Sequence, residues 1–321
     1  MNSLPWCIGF INTKNDPNNS ISFDPNLTGV IQLTAAMPAI AHNTNIFGTG
    51  SVDIARVQNA PNFRIFTIPG PVTCNFSNLD ISGGFADTDA GGAGGGIFNA
   101  GNLTLTLCKI HDNRSTHNGG GIYNQGNLTL QSSWVIGNLA ESRPSSPGQA
   151  GTKVNGGGVY SSGGILSVID STIDGNFATG SGGGIYAGNH VTVTITEESK
   201  ITYNRAGVSG GGLFATGDGS SLTMTGGEIG YNEAGADGGG VASLHTITLN
   251  FSDVDLRTNR ATNGKGGGYY IAANATATFT NCYFDANSAG SYGDGGAYSP
   301  LATVTMTNCT GQPLSDFVCD T

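Results

Sequence analysis

Charge is scarce in this chain of 321 residues: Asp, Glu, Lys and Arg together supply 11% of it, under half of the ~25% common in globular proteins. Positive charge is scarcer still, with 12 Lys and Arg against 22 Asp and Glu and a formal net charge of −10. Binding to nucleic acid or to an anionic membrane needs clustered Lys and Arg, so no nucleic-acid partner is expected. No apolar run approaches the ~18 residues of a membrane-spanning helix, and no membrane insertion by this chain is expected. A strongly amphipathic segment is also missing, and Lys, Glu and Leu are few, which excludes helical bundles. Residues 1–12 (MNSLPWCIGFIN) lack a basic stretch followed by an apolar core, so they do not read as a secretory signal. Either a leader has been trimmed or the chain is an internal piece of a longer one.

What the chain has in excess is glycine, 53 residues, and the glycines recur. Triplets begin at Gly94, Gly119, Gly156, Gly182, Gly210, Gly238 and Gly266, and Gly295-Gly296-Ala297 continues the series. Most intervals are close to about 28 residues, and a period in the 20–50 range signals a repeat architecture. An apolar residue followed three positions later by Asn runs in step: Ile110/Asn113, Val135/Asn138, Ile173/Asn176, Ile201/Asn204, Ile229/Asn232, Leu256/Asn259 and Phe284/Asn287. Between the two motifs lie alternating segments such as Asn102-Leu103-Thr104-Leu105-Thr106.

Each unit therefore reads as three short strands separated by turns, with Gly and Asn at positions of positive φ. Repetition stacks each Asn on its equivalent in the next unit, ~4.8 Å away, where side-chain amides can form a ladder. The predicted fold is all-β, a right-handed parallel β-helix of roughly ten coils at that spacing. Leu103/Leu105, Leu128/Leu130, Leu166/Val168, Leu222/Met224, Ala277/Phe279 and Val304/Met306 fill its interior. Residues 1–80 are expected to form irregular first coils and a cap, 81–310 the regular repeats and 311–321 a C-terminal cap or tail. Asn78–Gly84 reads as the first copy of the Ile-x-x-Asn segment, with Gly84 in the Asn position.

Phe284-Asp285-Ala286-Asn287 with Gly295-Gly296-Ala297-Tyr298 resembles the paired FxxN and GGA[ILV] repeats of chlamydial polymorphic membrane proteins. Residues 21–84 resemble the leading coils of the large bacterial β-helix surface proteins that often follow a CSLREA segment. The resemblance spans roughly residues 21–310 and implies a secreted or cell-surface module with an adhesin or passenger role.

Many β-helices cleave polysaccharides, and hydrolases need carboxylates paired across the scissile bond. The acidic residues that could cluster are Asp170, Asp174, Asp253 and Asp255, with Asp237 and Asp294 in turns. No column of coil equivalents shows a run of carboxylates, and the plainer reading is solvated turn Asp. His42, His111, His117, His190 and His245 fall at different repeat positions and never pair at ligand spacing, so no metal is expected. Chance GxGxxG matches such as that around Gly180 to Gly184 precede no helix, and no cofactor is expected. Cys108, Cys282 and Cys309 share a column with Ser133, Ser171 and Ser199. Adjacent coils place Cys282 and Cys309 within disulfide range, although stacked free thiols fit equally and Cys309 with Cys319 is a further pairing.

Three features point outward. Phe98, Tyr123, Tyr160, Tyr186, Phe214 and Tyr270 follow successive Gly triplets, interrupted by Ala242; they form either a sugar-stacking strip or, as favoured here, packing. Thr residues alternate with core residues on the second strand, an array that could bind ice or merely suit an exposed strand. Residues 139–155 are an insertion, and insertions in solenoids cluster on one face, often the binding face. The insertion carries Arg143 and Lys153, and Arg114, Arg205 and Arg260 share its edge, with Glu233. The leading expectation is a non-enzymatic extracellular module that binds a glycan or surface protein there. The alternatives are a divergent polysaccharide lyase or glycoside hydrolase, an ice-binding protein, and a viral fibre segment marked by trimerisation.

Overall fold

One coil repeats along the whole molecule, and a computed structural model describes it over residues 3–14, 16, 18–87, 92–142 and 151–319. A typical coil runs Asn102–Thr106, Lys109–His111, Arg114–Ser115 and Ile122–Asn124 before Asn127–Gln131 starts the next. Stacking the coils in register makes four parallel sheets, here numbered first to fourth in that order, of 11, 11, 8 and 10 strands. The three strands read from the sequence are thus joined by a fourth of two residues, which follows each ladder Asn.

Register is set by the apolar column. Leu103, Leu128, Leu166, Val193 and Leu222 pair in succession on the first sheet, and Ile81, Ile110, Val135, Ile173 and Ile201 on the second. All of these side chains are at most 1% exposed, so a one-residue slip would turn the whole set to solvent.

Polar ladders hold the corners. Asn113, Asn138, Asn176, Asn204, Asn232, Asn259 and Asn287 each donate from Nδ2 to the amide oxygen of the next coil, at 2.8–3.1 Å. Gln312 closes the far end as the last acceptor. Gly84 opens the near end: its backbone N–H donates to Asn113 Oδ1 at 2.9 Å, and a Cβ there would strike the backbone of Gly95. The Cys/Ser column forms another ladder, with Cys108 N donating to Ser133 Oγ and Ser133 N to Ser171 Oγ, both at 3.0 Å. None of the six cysteines is in a disulfide, so the column holds stacked thiols and hydroxyls.

The first coils join the same stack, to which Val52–Arg56 and Thr73–Ser77 also contribute strands. A helix, α1 (Leu4–Asn12), covers their open end with Leu4, Ile8 and Ile11 buried. Ser3 caps it through the N–H of Trp6, and proline occupies its first turn, where no N–H partner is lost. At the other end Phe317 packs edge-on against Phe284, with ring centroids 5.1 Å apart. No helix among the described residues is long and apolar enough to cross a membrane.

Candidate binding edge

The corner between the third and fourth sheets gathers most of the residues singled out from the sequence. On the third sheet one outward column runs Phe85, Arg114, Leu139, Phe177, Arg205, Glu233, Arg260 and Ser288. On the fourth, Phe98, Tyr123, Tyr160, Tyr186 and Phe214 are coil equivalents. The chain leaves the third sheet after Ala140 and enters the fourth at Val159, so the described ends of the insertion connect the two columns. Arg143 lies outside the described residues. Lys153 is exposed, and its neighbour Val154 anchors the returning chain by packing on Ala140 and Ala178.

The aromatic column is a continuous stack. Successive centroids are 5.5, 5.1, 4.8 and 5.1 Å apart with planes within 18° of parallel. The Arg64 guanidinium covers the first ring at 5.0 Å, and Phe214 at the other end is only 4% exposed. Rings that face one another cannot also face a sugar. The half-buried strip therefore offers ring edges and the hydroxyls of Tyr123, Tyr160 and Tyr186. Burial pushes the Tyr160 phenol up to about 12 and raises that of Tyr186, which keeps both as neutral donors. Ala242 leaves a gap in the column, a small pocket of about 80 Å³ lined by Phe214, Ala242, Tyr270, Asp237 and Leu244.

The basic column is partly neutralised from within. Arg114 Nη2 lies 3.2 Å from Glu141, at the foot of the insertion, and Arg205 Nε lies 4.0 Å from Glu233. Phe85 and Phe177 sit beneath the guanidinium groups of Arg114 and Arg205, at 5.1 and 5.6 Å. Such stacking holds the long side chains against the sheet, and Arg114 Nε is buried there without a partner. Arg260 is exposed.

The acidic candidates are not brought together. Asp170 and Asp253 occupy the left-handed turn between the first and second sheets, three coils apart, about 14 Å at ~4.8 Å per coil. Paired glycosidase carboxylates stand ~5–9.5 Å apart. Each is engaged locally: Asp170 accepts from Ser132 Oγ at 3.0 Å and Asp253 from Asn281 Nδ2 at 3.1 Å. Asp174 accepts from Thr202 Oγ1 at 2.6 Å. Asp255 neighbours Glu228 in the next coil, whose carboxylate is already held by Arg257 Nε at 2.7 Å. The turn residues Asp237 and Asp294 accept from backbone N–H groups of Lys265 and Ala289.

Sequence reasoning missed one cluster. Asp53 and Asp80 pair across adjacent strands of the second sheet, and His111 stands in the next coil opposite Ser82. Aligning Ile54 with Ile81 and Ile110 reveals the grouping, but the irregular spacing of the first coils hides that alignment. Searching for His pairs also passed over a His set beside two carboxylates.

No curated protein and no solved structure matches the chain. Residues 155–311 match the family model described as right handed beta helix region, and with the in-register solenoid this makes the fold a right-handed parallel β-helix.

Proposed function

We propose that the chain is a non-enzymatic binding module, extracellular or on a cell surface, that takes a glycan or a surface protein along the edge between its third and fourth sheets. The observation that carries this reading is the shared edge of the exposed Lys153, at the described return of the insertion, and the Arg column with a row of tyrosines spaced one coil apart. A row of donors at ~5 Å suits an extended ligand with repeated acceptors better than a compact one. The likeness of the FxxN and GGA segments to bacterial surface β-helices favours the same role. A divergent lyase or hydrolase is the alternative, and the dispersed carboxylates weigh against it.

The test is a glycan array, with each hit then assayed for new reducing ends and unsaturated products. Binding without turnover, weakened at least tenfold by Tyr160→Phe with Tyr186→Phe or by Lys153→Ala, supports the reading. Turnover would overturn it, and so would binding that survives these changes together with deletion of residues 142–151.

A second reading rests on a different face. From Thr73–Ser77 to Thr303–Thr307 the outward positions of the first sheet carry Thr, Ser, Asn, Gln and Ile and no charged residue. The strands Thr192–Thr196, Thr276–Thr280 and Thr303–Thr307 each present three threonines. A flat, uncharged hydroxyl array suits ordered water, and ice affinity is its measure: thermal hysteresis abolished by Thr194→Arg would favour this face over the edge.

A further inference from the structure

The Asp53, Asp80 and His111 side chains meet on the outward face of the second sheet, where three successive coils each contribute one residue. One potential ligand atom from each lies within 4.8 Å of the other two. Asp53 Oδ1, Asp80 Oδ1 and His111 Nε2 are all buried and none makes a well-formed hydrogen bond, the 3.0 Å approach of His111 Nε2 to Asp80 Oδ1 included. A buried polar atom without a partner costs ~1–3 kcal/mol, more when charged, so three together call for an explanation.

The surroundings orient these atoms toward a common point. Asp53 Oδ2 is occupied by the Ser82 hydroxyl at 2.7 Å, which leaves Oδ1 for the cluster. His111 Nδ1 lies 2.7 Å from Asp112 Oδ2. With the proton on Nδ1, that contact turns the Nε2 lone pair inward, the arrangement in which carboxylates behind the ligand shell hold metal-bound imidazoles. Nε2 stands 3.0 Å from Asp80 Oδ1, and in that tautomer it sets a lone pair against the carboxylate oxygen. A cation between them removes the repulsion and satisfies all three atoms.

We propose that Asp53, Asp80 and His111 form a divalent metal site for a zinc-class ion. One imidazole and two carboxylates match Zn²⁺ coordination, whereas Ca²⁺ and Mg²⁺ prefer all-oxygen shells. Bonds of ~2.0–2.2 Å set tetrahedral ligand atoms ~3.3–3.6 Å apart, so the widest separation closes by about 1 Å and the 3.0 Å Nε2–Oδ1 approach opens slightly. Three protein ligands leave a further position open to water. The ion would clip three coils together next to the α1 cap, and a ligand of the folded state alone stabilises that state by mass action.

Chelator-stripped protein titrated with ZnCl₂ by calorimetry tests this, with metal content measured after dialysis and the melting temperature followed in parallel. One Zn²⁺ per chain and a saturable rise in melting temperature are expected, with affinity falling 10–100-fold in Asp80→Asn and in His111→Gln. Asp112→Asn, which only positions the imidazole, should weaken binding less. Far-UV circular dichroism confirms that each variant is folded, and Co²⁺ substitution reports the ligand type: absorption without a thiolate charge-transfer band is expected. Any of three results overturns the proposal: no stoichiometric Zn²⁺ on the folded wild type, unchanged binding in both variants, or a thiolate band assigning the metal to cysteine. Preference for Ca²⁺ over Zn²⁺ would overturn the ion class.

Discussion

Asn204 Nδ2 donates to Asn232 Oδ1 at 3.1 Å, while Asn204 Oδ1 accepts both the backbone N–H and the Nδ2 of Asn176, at 3.0 and 2.9 Å. A second Nδ2 proton goes to the carbonyl of Ile173 at 2.8 Å, so this buried amide joins three coils. Asn204→Ala strands the backbone N–H and one Nδ2 proton of Asn176 and takes the side-chain donor from the Ile173 carbonyl, while Asn232 Oδ1 keeps only the backbone N–H of residue 204 at 2.9 Å; we expect a loss of about 3 kcal/mol by denaturant titration. Gln312→Ala removes only the terminal rung, near solvent, and should cost about 1 kcal/mol. Equal costs at the two positions would mean that the ladder does not act as a continuous network.

The left-handed turn after the second-sheet strands from Asp80–Ser82 to Tyr283–Asp285 allows a paired test of backbone strain. Its equivalents include Gly175 at φ +61° and Thr258 at φ +54°, and a Cβ at Gly175 would meet only Gly137 N, at 3.9 Å. Sterics with neighbours are therefore absent, and what differs is the intrinsic cost of φ > 0, ~1–2 kcal/mol for a residue with Cβ. Gly175→Ala should destabilise by about 1 kcal/mol and Thr258→Gly should stabilise by a similar amount. Shifts of the denaturation midpoint in opposite directions at unchanged slope are the expected result.

The same turns explain what was legible in the sequence. Gly triplets, the Asn column and alternating Leu-Thr-Leu segments each record a constraint that recurs in every coil, so the period exposes them. The two-residue strand of the third sheet leaves no such trace, because its inward residue is small: Ser115, Ala140, Ala178, Ala206 and Ala234. Helix α1 occurs once, as a cap, and a single apolar stretch of nine residues has no repeat to betray it. At the binding edge the Tyr column was visible as a column, but ring orientation follows from coil spacing and packing, which sequence does not encode residue by residue. The Asp53/Asp80/His111 grouping needs the register of coils whose lengths vary.

Burial of the thiols makes a pH prediction with a definite sign. Desolvation pushes Cys74 up to about 12 and Cys108 and Cys282 up to about 11, against ~8.5 for an unfolded thiol. The folded state therefore holds these protons more tightly than the unfolded state. The stability they contribute is complete below pH ~8.5 and is lost as the pH rises toward the folded values. Denaturation midpoints should be level in this respect up to about pH 8 and fall steadily between about 9 and 11. Serine already occupies the Cys108 column at Ser133, Ser171 and Ser199 without loss of register, so Cys108→Ser with Cys282→Ser should fold and show a shallower alkaline slope. An unchanged slope in that double variant would assign the alkaline loss to Cys74 and the buried tyrosines, Tyr160 and Tyr269, whose phenols are also raised by burial.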